Sequence, residues 1–297
     1  MPKVSVIMPV YNTDEHFLRP AISSILNQTF KDFEFIIIND GSTNNAEDVI
    51  LSYKDKRIKY HKNKTNLKII KTLNKGLNLA KGEYIARMDS DDISFRTRFE
   101  KQVEFLDSHP KIGLLNAYAI QIPSRTKIQP PINSNDIQLF LKYDANCIIH
   151  PLVMFRHDIL KQNNLSYSED FLHVEDYKLW LDMLNYTNFY TLPTQLLLLR
   201  IHSNQVSKQN LKLQVQHAAF LVCSAVLEDL GIKDKKYKTL FHVGITGGNI
   251  SIEDYIELEY ILTLAMNRIT NCTDYVFRAR TIQNLHAMKL KLFSSVI

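Results

Sequence analysis

The N-terminal two thirds of the chain alternates short apolar runs with longer amphipathic segments. The apolar runs are rich in β-branched residues and stop at polar residues, which is typical of buried parallel strands. They are VSVIMPV (4–10), FEFIIIND (33–40), RIKYHKN (57–63) and EYIARM (83–88). Segments with helical spacing lie between them, including 15–28, where Pro20 favours a helix start near that residue. This alternation predicts an α/β fold with a doubly wound, mostly parallel sheet.

The alternation continues beyond the fourth strand and then stops. The later elements are a helix (98–110), a strand (112–122), a strand and a helix (150–160), a helix (175–186) and a last strand within 188–202. The segment 123–135 is rich in Pro, Ser and Asn and is expected to be an exposed loop. From about residue 211 the spacing is only helical. We therefore expect a sheet domain at 1–208 and a helical C-terminal extension at 209–297.

Composition and charge narrow the class of protein. The chain has 297 residues, 45% of them apolar and 23% charged, which suits one large α/β domain with an appendage. The net charge of +5 is spread along the chain without an arginine-rich block, so no nucleic-acid partner is expected. A weak attraction to anionic ligands or to an anionic membrane face remains compatible with this charge.

The cysteines and the apolar runs indicate the compartment. Cys147, Cys223 and Cys272 are far apart and form no CxxC pair, which favours reduced thiols in a cytosolic protein. The opening MPKVSVIMPVYN lacks the basic region, long apolar run and cleavage site of a signal peptide. The run LPTQLLLLRI is far shorter than the roughly 18 residues that suggest a spanning helix. We expect a cytoplasmic protein, at most peripheral on the inner face of the cell membrane.

Polar side chains follow three of the predicted strands. In open α/β sheets, ligands bind outside the carboxyl ends of the strands. The polar residues at these ends are Tyr11 and Asn12 after the first strand, Asp40 after the second, and Asp89, Asp91 and Asp92 after the fourth. We expect these groups to face one crevice.

The three aspartates of DSDD (89–92) need a partner, because like charges at this spacing repel each other. The chain has only 8 glycines and neither GxGxxG nor GxxxxGK[ST], so a glycine-rich phosphate cradle is not expected. Oxygen ligands suit Mg²⁺ or Mn²⁺, whereas zinc favours Cys or His sets. The motif therefore predicts a divalent metal that neutralises a nucleotide diphosphate. The alternative is a solvated turn in which Asp91 caps the next helix.

Six segments of the chain resemble the motifs of glycosyltransferase family 2, in the same order and at similar spacings. They are VSVIMPVYN, INDGST, GEYIARMDSDD, HPLVMFR, EDYKLWL and RIHSNQVS, within residues 3–208. The resemblance implies a GT-A (Rossmann-like) fold with a mixed sheet and a nucleotide-sugar donor. Within the family, the chain is most similar to bacterial enzymes that extend lipooligosaccharide or capsule chains, such as β-1,3-N-acetylglucosaminyltransferases and related galactosyltransferases.

The resemblance assigns donor-binding roles to the first two strand ends. Asp40 matches the aspartate that accepts the uracil imide N–H, and its alternative role is to cap the helix begun by STNNAED. Pro9 and Tyr11 match residues that shape the base pocket, with Asn12 beside them. Tyr11 could equally be a packed core aromatic.

The resemblance also assigns the acidic motif to the diphosphate and the metal. Asp91 and Asp92 match the metal-binding carboxylates, Asp91 nearer the ribose and Asp92 nearer the metal. Asp89 is the other acid of the DxD pattern and is counted among the donor-binding residues. Lys68 or Lys71 would contact the diphosphate, and the alternative for either lysine is a solvated helix face.

Glu175 and Asp176 match the family's ED pair. An inverting transfer needs a base for the acceptor hydroxyl, and Asp176 is the candidate. A carboxylate at a helix start is also stabilised by the helix dipole, so capping is the alternative role.

His202 matches a histidine that completes the metal site, and its alternative is an ordinary surface or core residue. His150 matches an acceptor-side position, and Trp180 either lines the acceptor groove or packs in the core.

These assignments predict an inverting glycosyltransferase that depends on Mn²⁺ or Mg²⁺. The donor would be a UDP-sugar carrying GlcNAc, GalNAc, Gal or Glc, and the acceptor a hydroxyl of a growing surface glycan, either free or lipid-linked. One rival is a sugar-1-phosphate nucleotidyltransferase, which normally has a glycine-rich basic loop where this chain has PVYNTDEH. A second rival is a non-catalytic module that binds sugar nucleotides.

The amphipathic helices expected in 209–297 lie outside the resemblance. They would pack on the sheet domain or on another subunit. The alternative is a surface helix on an anionic inner membrane. The oligomeric state is open.

Overall fold

The computed structural model describes residues 1–202, 210–246, 248–269 and 275–296. The chain forms two compact units, one from 1–132 with 148–205 and the other from 133–147 with 206–297. The second unit therefore includes a segment from the middle of the chain, which the sequence analysis did not place there. The predicted boundary at residue 208 falls outside the described residues and stays a prediction.

One mixed sheet runs through the first unit. Its strands are β1 (Val4–Val10), β2 (Phe33–Asn39), β3 (Ile58–Lys62), β4 (Tyr84–Arg87), β5 (Ile93–Ser94), β6 (Ile112–Ile122), β7 (Lys127–Ile128), β8 (Met154–Arg156) and β9 (Asn188–Arg200). The strand order is β3-β2-β1-β4-β8-β6-β9-β5, with β7 beside β6. Strands β1 to β4 are parallel to one another, and β8 is antiparallel to both β4 and β6. The predicted α/β class and mixed sheet are confirmed.

Helices flank this sheet and make up the second unit. In the first unit they are α1 (Glu15–Leu26), α2 (Ala46–Leu51), α3 (Lys68–Leu79), α4 (Arg98–Ser108), α6 (His157–Gln162) and α7 (Glu175–Met183). In the second unit they are α5 (Ser134–Tyr143), α8 (Leu211–Asp229), α9 (Lys235–Thr246), α10 (Ile252–Ile269) and α11 (Tyr275–Phe293). Two single turns of 3-10 helix lie at His150–Leu152 and Glu169–Phe171. In the described ranges, every helix is too short or too polar to cross a bilayer.

The core of the first unit forms around β1 and β2. Both strands are buried on both faces, and only Pro9 among their residues is more than marginally exposed. Helix α1 covers one face with an apolar stripe of Leu18, Ala21, Ile22 and Ile25. Full burial of a large aliphatic side chain contributes about 1.5–3 kcal/mol. The central strands are therefore well anchored, and so are the loops that leave their carboxyl ends.

The register places the carboxyl ends of these strands side by side. Val10 pairs with Asn39, and Asn39 pairs with Lys62, so β1, β2 and β3 end level with one another. Arg87, the last residue of β4, pairs with Ile7 of β1. The loops after β1, β2 and β4 therefore share one edge of the sheet.

Two local expectations were wrong. Helix α1 begins at Glu15, because the Asp14 side chain accepts the backbone N–H of His16 at 2.8 Å and caps the helix ahead of Pro20. Helix α5 starts at Ser134, inside the segment predicted to be a loop. The Asn133 side chain caps α5, and the loop composition concealed this start.

Candidate active site

Side-chain hydrogen bonds tie together the loops that follow β1, β2 and β4. The Asn12 Oδ1 accepts the backbone N–H of Thr43 at 2.8 Å, and the backbone N–H of Asn12 donates to Ser42 Oγ at 3.0 Å. Thr13 Oγ1 lies 2.6 Å from Ser90 Oγ in the acidic loop. Asn12 has a positive φ of 50°, which asparagine tolerates better than most residues. Asn12 thus holds the first loop against the second.

Asp40 is buried at the end of β2 and contacts the loop after β3. Its Oδ1 accepts from Asn63 Nδ2 at 2.7 Å and from the backbone N–H of Leu67 at 2.9 Å. Lys75 Nζ in turn donates to Asn63 Oδ1 at 2.6 Å. Within the described residues, Asp40 Oδ2 has no hydrogen bond and Asp40 makes no bond to the start of α2. This geometry leaves one carboxylate oxygen available to a ligand and does not support the capping alternative.

The other predicted donor contacts lie at the surface of the same edge. Tyr11 is 49% exposed, which excludes the alternative of a packed core aromatic. Pro9 is half-buried near the end of β1. Lys68 is exposed at the start of α3 with φ 73°, and its backbone N–H donates to Asn66 Oδ1 at 2.8 Å.

The acidic loop after β4 is held by the end of β9. Asp92 is almost fully buried, and its Oδ1 accepts the backbone N–H of Arg200 at 2.9 Å, while its Oδ2 is buried without a hydrogen bond. Arg200 Nη1 donates to the backbone carbonyl of Asp91 at 2.8 Å. His202 Nε2 lies 2.9 Å from Asp91 Oδ2. Residues that are more than a hundred positions apart therefore meet, as the predicted metal set requires.

Phe17 of α1 supports the end of β9. The imidazole of His202 stacks on its ring with centroids 4.9 Å apart, and the Arg200 guanidinium lies 5.1 Å from the ring centroid. These contacts orient both side chains toward the acidic loop. Asn204 and Ser207, which belong to the same predicted motif, lie outside the described residues.

The acidic loop is electrostatically unbalanced. Burial raises the pKa of Asp92 well above its usual range, and the charges of Asp89 and Asp91 raise it further. Burial also raises the pKa of Asp89, although the neighbouring Arg87 opposes this shift. Arg87 Nη1 forms an ion pair with Asp89 Oδ2. The Arg87 guanidinium thus does not offset the desolvation of Asp89 and Asp92.

This loop fits a hard divalent cation. Ligand oxygens of Asp89, Asp91 and Asp92 all lie within 4.8 Å of one another. The buried Oδ2 of Asp92 lacks a hydrogen bond, and a buried carboxylate oxygen is costly to leave unsatisfied. Clustered carboxylate oxygens are the ligands that Mg²⁺ and Mn²⁺ prefer.

A second polar cluster lies at the start of α7. His150 Nε2 lies 2.9 Å from the Tyr167 hydroxyl, and His150 Nδ1 lies 3.9 Å from Asp176 Oδ2. The backbone N–H of Tyr177 donates to Asp176 Oδ1 at 2.7 Å. Trp180 meets the His150 ring edge-on with centroids 5.7 Å apart and is completely buried, which favours its packing role.

Burial controls the charges in this second cluster. Glu175 is 8% exposed, and its Oε2 is buried without a hydrogen bond. Burial, followed by the charge of Asp176, raises the pKa of Glu175 to about 7. Burial and the nearby Arg87 lower the pKa of His150 well below its usual range, so this imidazole is neutral at neutral pH.

Arg87 lies between the two clusters. Its positive charge acts on Asp89 and Asp92 on one side and on Glu175 and His150 on the other. Tyr167 also interacts with acids of both clusters. Burial raises the pKa of its hydroxyl, and the charges of Asp176, Glu175 and Asp89 raise it further. The predicted metal set and the predicted catalytic pair therefore both lie near the Arg87 guanidinium.

Arg87 and Tyr167 were not among the predicted site residues. The signal for Arg87 was available, since it is the one charged residue in the otherwise apolar strand YIAR. A cation is costly to bury without an anionic partner, so a lysine or arginine in such a strand indicates acids nearby. No comparable signal marks Tyr167.

Sequence comparisons agree with this geometry. A profile described as "Glycosyl transferase family 2" matches residues 5–163. An uncharacterized glycosyltransferase of Methanocaldococcus jannaschii is 38% identical over 187 residues, which is 61% of this chain and 64% of that protein. An uncharacterized glycosyltransferase of Haemophilus influenzae is 35% identical over 225 residues, which is 69% of this chain and 68% of that protein. The chain thus spans about two thirds of the length of these relatives.

The fold is shared with a solved glycosyltransferase structure. The structure of residues 1–349 of S. aureus TarS, solved in complex with UDP-GlcNAc, superposes with a TM-score of 0.65. The match covers 97% of this chain and 90% of that 1–349 fragment at 19% sequence identity. At this identity the likeness supports the fold alone.

Proposed function

This chain belongs to glycosyltransferase family 2, and from that premise we propose that it transfers a hexose from a UDP-sugar to a glycan hydroxyl with inversion at the anomeric carbon. The observation that carries the proposal is the convergence of two acidic clusters around Arg87. One cluster would serve the diphosphate of the donor, and the other would serve the hydroxyl of the acceptor.

The first two strand ends provide the binding site for the base. Asp40 Oδ2 has no hydrogen bond within the described residues, so it is available to accept the imide N–H of uracil. Asn63 and Leu67 fix the carboxylate through its other oxygen. The exposed ring of Tyr11 would pack against the base. TarS, which shares the fold, has been solved with UDP-GlcNAc, and this favours uracil as the base and GlcNAc as the first sugar to test.

The acidic loop would hold the diphosphate through a cation. Asp91 and Asp92 would bind Mn²⁺ or Mg²⁺, with His202 and Asp89 beside them, and the ion would neutralise charge on the departing UDP. Burial raises the pKa of Asp92, so binding of a cation there would shift this carboxyl toward its ionised form. Lys68, exposed at the start of α3, is the candidate for a further diphosphate contact.

Asp176 is the proposed base. The acceptor hydroxyl oxygen attacks the anomeric carbon, and its proton passes to the Asp176 carboxylate. The bond from the anomeric carbon to the phosphate oxygen breaks, and its electron pair leaves with UDP. Asp176 lies in the first turn of α7, where the helix dipole stabilises an anion by about 0.3–1 kcal/mol. An α-linked donor then yields a β-linked product.

The residues around Asp176 would position the acceptor. His150 is neutral and is held by the Tyr167 hydroxyl, so it can exchange hydrogen bonds with a sugar hydroxyl without adding charge. Glu175, with a pKa of about 7, is partly protonated at neutral pH and can donate a hydrogen bond. Trp180 supports His150 from the core.

We place the acceptor among growing surface glycans, such as lipooligosaccharide or capsule chains, and the reaction in the cytoplasm. This assignment rests on the motif resemblance and on the cysteine pattern.

The test is a screen of UDP-sugars for UDP release against short oligosaccharides, with Mn²⁺, with Mg²⁺ and with EDTA. Asp176→Asn should bind UDP with unchanged affinity and lose transfer by at least about a hundredfold, the lower end of a typical general-base contribution. Binding is measured by calorimetry and transfer by UDP release.

Asp182→Asn is the matched control, because Asp182 lies on the same helix in a partly exposed ion pair with Lys178 and should leave transfer unchanged. Full activity of Asp176→Asn would contradict its role as base. A donor that binds and is never consumed with any acceptor would favour the binding module. Formation of a UDP-sugar from UTP and a sugar phosphate would favour the nucleotidyltransferase.

A further inference from the structure

The second unit exposes large apolar side chains on two neighbouring helices. On α10, Ile252 is 56% exposed, Ile256 59% and Tyr260 65%. On α11, Leu290 is 71% exposed and Phe293 62%. Isolated exposed apolar residues are normal, but five large ones in adjacent helices call for an explanation.

The two helices lie antiparallel with a defined register. Tyr255 meets Phe293 edge-on with ring centroids 5.5 Å apart, and Glu259 pairs with Lys289 Nζ at 3.0 Å. Lys289 Nζ also lies 3.4 Å from Thr263 Oγ1. In both pairs the two residue numbers add up to 548. A residue of α10 and a residue of α11 whose numbers add up to about 548 therefore lie at the same height along the helix pair.

The exposed residues share the outer face of this pair. Each residue of a helix is rotated by about 100° from the one before it. On α10, Ile256 and Tyr260 are therefore rotated by about 60° and 100° away from the side of the helix that contacts α11. On α11, Leu290 is rotated by about 100° away from the side that contains Lys289 and contacts α10. The buried residues of both helices, including Leu258 and Leu292, lie on the opposite side. The five residues therefore form one continuous apolar surface, which we call the outer apolar face.

This surface is large for a face left in water. An aromatic side chain carries about 150–250 Å² of surface, so Tyr260 and Phe293 together expose roughly 200–300 Å². The three aliphatic side chains extend the face to several hundred Å², the upper end of what is usual for the largest apolar patch on a monomer. It is large enough to form the centre of an interface of about 800 Å² per partner.

The charges beside the face indicate which partner fits it. On the α10 side, Glu253 and Glu257 flank it, Glu257 also pairing with Lys236. On the α11 side, Lys291 and His286 are exposed. Acids along one border repel an anionic membrane surface, whereas opposite charges on opposite borders suit a second copy turned by 180°.

We propose that the outer apolar face binds a second copy of the same chain in a twofold-symmetric dimer. The twofold axis would run parallel to the helices, so each α10 packs on α11 of the partner subunit. A rotation about this axis does not move a residue along it, so equivalent residues of the two copies lie at the same height. Glu257 then lies at the height of Lys291 of the partner subunit, so both acidic borders meet basic ones. The apolar side chains of the two copies fill the centre of a four-helix interface.

The test measures the mass of the full chain by analytical ultracentrifugation between about 0.1 and 100 µM. The wild type should dimerise, and Ile256→Glu should raise the dimer dissociation constant by at least about tenfold, because it places a charge in the apolar centre. Tyr186→Glu is the matched control, since Tyr186 is 53% exposed in the other unit and should not alter dimerisation. Circular dichroism checks that the variants are folded.

A charge exchange tests the orientation of the dimer. Glu257→Lys should weaken dimerisation, and the double variant Glu257→Lys with Lys291→Glu should restore it. A monomeric wild type at all concentrations, or a dimer unaffected by Ile256→Glu, would overturn the proposal. So would flotation of a monomeric wild type with vesicles of anionic phospholipid if Ile256→Glu abolished it, because lipid would then be the occupant.

Discussion

At the scale of single residues, burial decides which groups in the site carry charge. Arg87 is a buried cation whose charge is shared by acids from two distant segments. Asp89 and Asp92 on one side and Glu175 on the other have raised pKa values, because one guanidinium does not offset the desolvation of all three. The acidic loop therefore lacks positive charge, and Glu175 at the start of α7 holds a proton below about pH 7.

Glu175→Gln should reduce the dependence of stability on pH. The pKa of Glu175 rises from 4.5 to about 7 on folding, so the folded state binds more protons between these values. The contribution of Glu175 to the free energy of unfolding is complete below pH 4.5 and is lost as the pH rises through about 7. Relative to the variant, the wild type should lose about 3 kcal/mol of unfolding free energy between pH 4 and pH 8. Urea denaturation in EDTA across this range measures the difference.

Glu169→Gln is the control, because Glu169 is 62% exposed in its pair with Lys71 and should leave the pH profile unchanged. A Glu175→Gln profile parallel to that of the wild type would show that folding leaves the pKa of this carboxyl unchanged.

At the scale of elements, the site depends on contacts between segments that are remote in sequence. The end of β9 contributes the backbone N–H of Arg200 to Asp92 and the imidazole of His202 to Asp91. Helix α1 contributes the Phe17 ring that holds both β9 side chains. The metal set is therefore assembled from β4, β9 and α1 together.

Phe17→Ala should weaken the binding of Mn²⁺ and leave the protein folded. Without the ring, His202 and Arg200 lose the surface that orients them. Removing a residue that orients a metal ligand typically costs about 10–100-fold in metal affinity. The Mn²⁺ concentration for half-maximal UDP release should rise by about tenfold or more. Phe105→Ala is the matched control, since Phe105 also stacks on a histidine, His109, at the surface of α4. An equal Mn²⁺ response in both variants would contradict the role of Phe17.

At the scale of the whole molecule, one acid joins the inserted segment 133–147 to the second unit. Asp229 at the end of α8 accepts from Lys142 Nζ at 2.6 Å and from the Tyr143 hydroxyl at 2.5 Å. Arg268 Nε lies 3.5 Å from the same carboxylate. One carboxylate therefore contacts a lysine and a tyrosine of α5 and an arginine of α10.

Asp229→Ala should loosen the second unit. Removal of the carboxylate leaves the buried Tyr143 hydroxyl and Lys142 without this partner, at a cost of about 1–3 kcal/mol. Amide hydrogen exchange should accelerate in α5 and α8 and remain unchanged in β1 and β2. Asp32→Ala, an exposed aspartate in the first unit, is the control. Unchanged exchange in α5 would show that other contacts hold the segment.

Much of the fold could be predicted from local patterns, and the failures have specific causes. Strands β1 and β2 lie where their apolar runs predicted, because a strand buried on both faces leaves a continuous signal. Helix α5 was missed, because its cap and first turn are polar residues that also favour loops. Its position in the second unit depends on Asp229, which lies 86 residues beyond Tyr143.

The sequence by itself determined the family, the fold class and the acidic residues, because these follow from periodicity and from motifs that occupy a few adjacent positions. Only the tertiary structure decided that Arg87 lies between the two clusters, that Trp180 packs while Tyr11 is exposed, and that Phe17 supports His202. The physical reason is that burial and charge coupling depend on distances between remote segments. A pattern of adjacent residues contains no information about those distances.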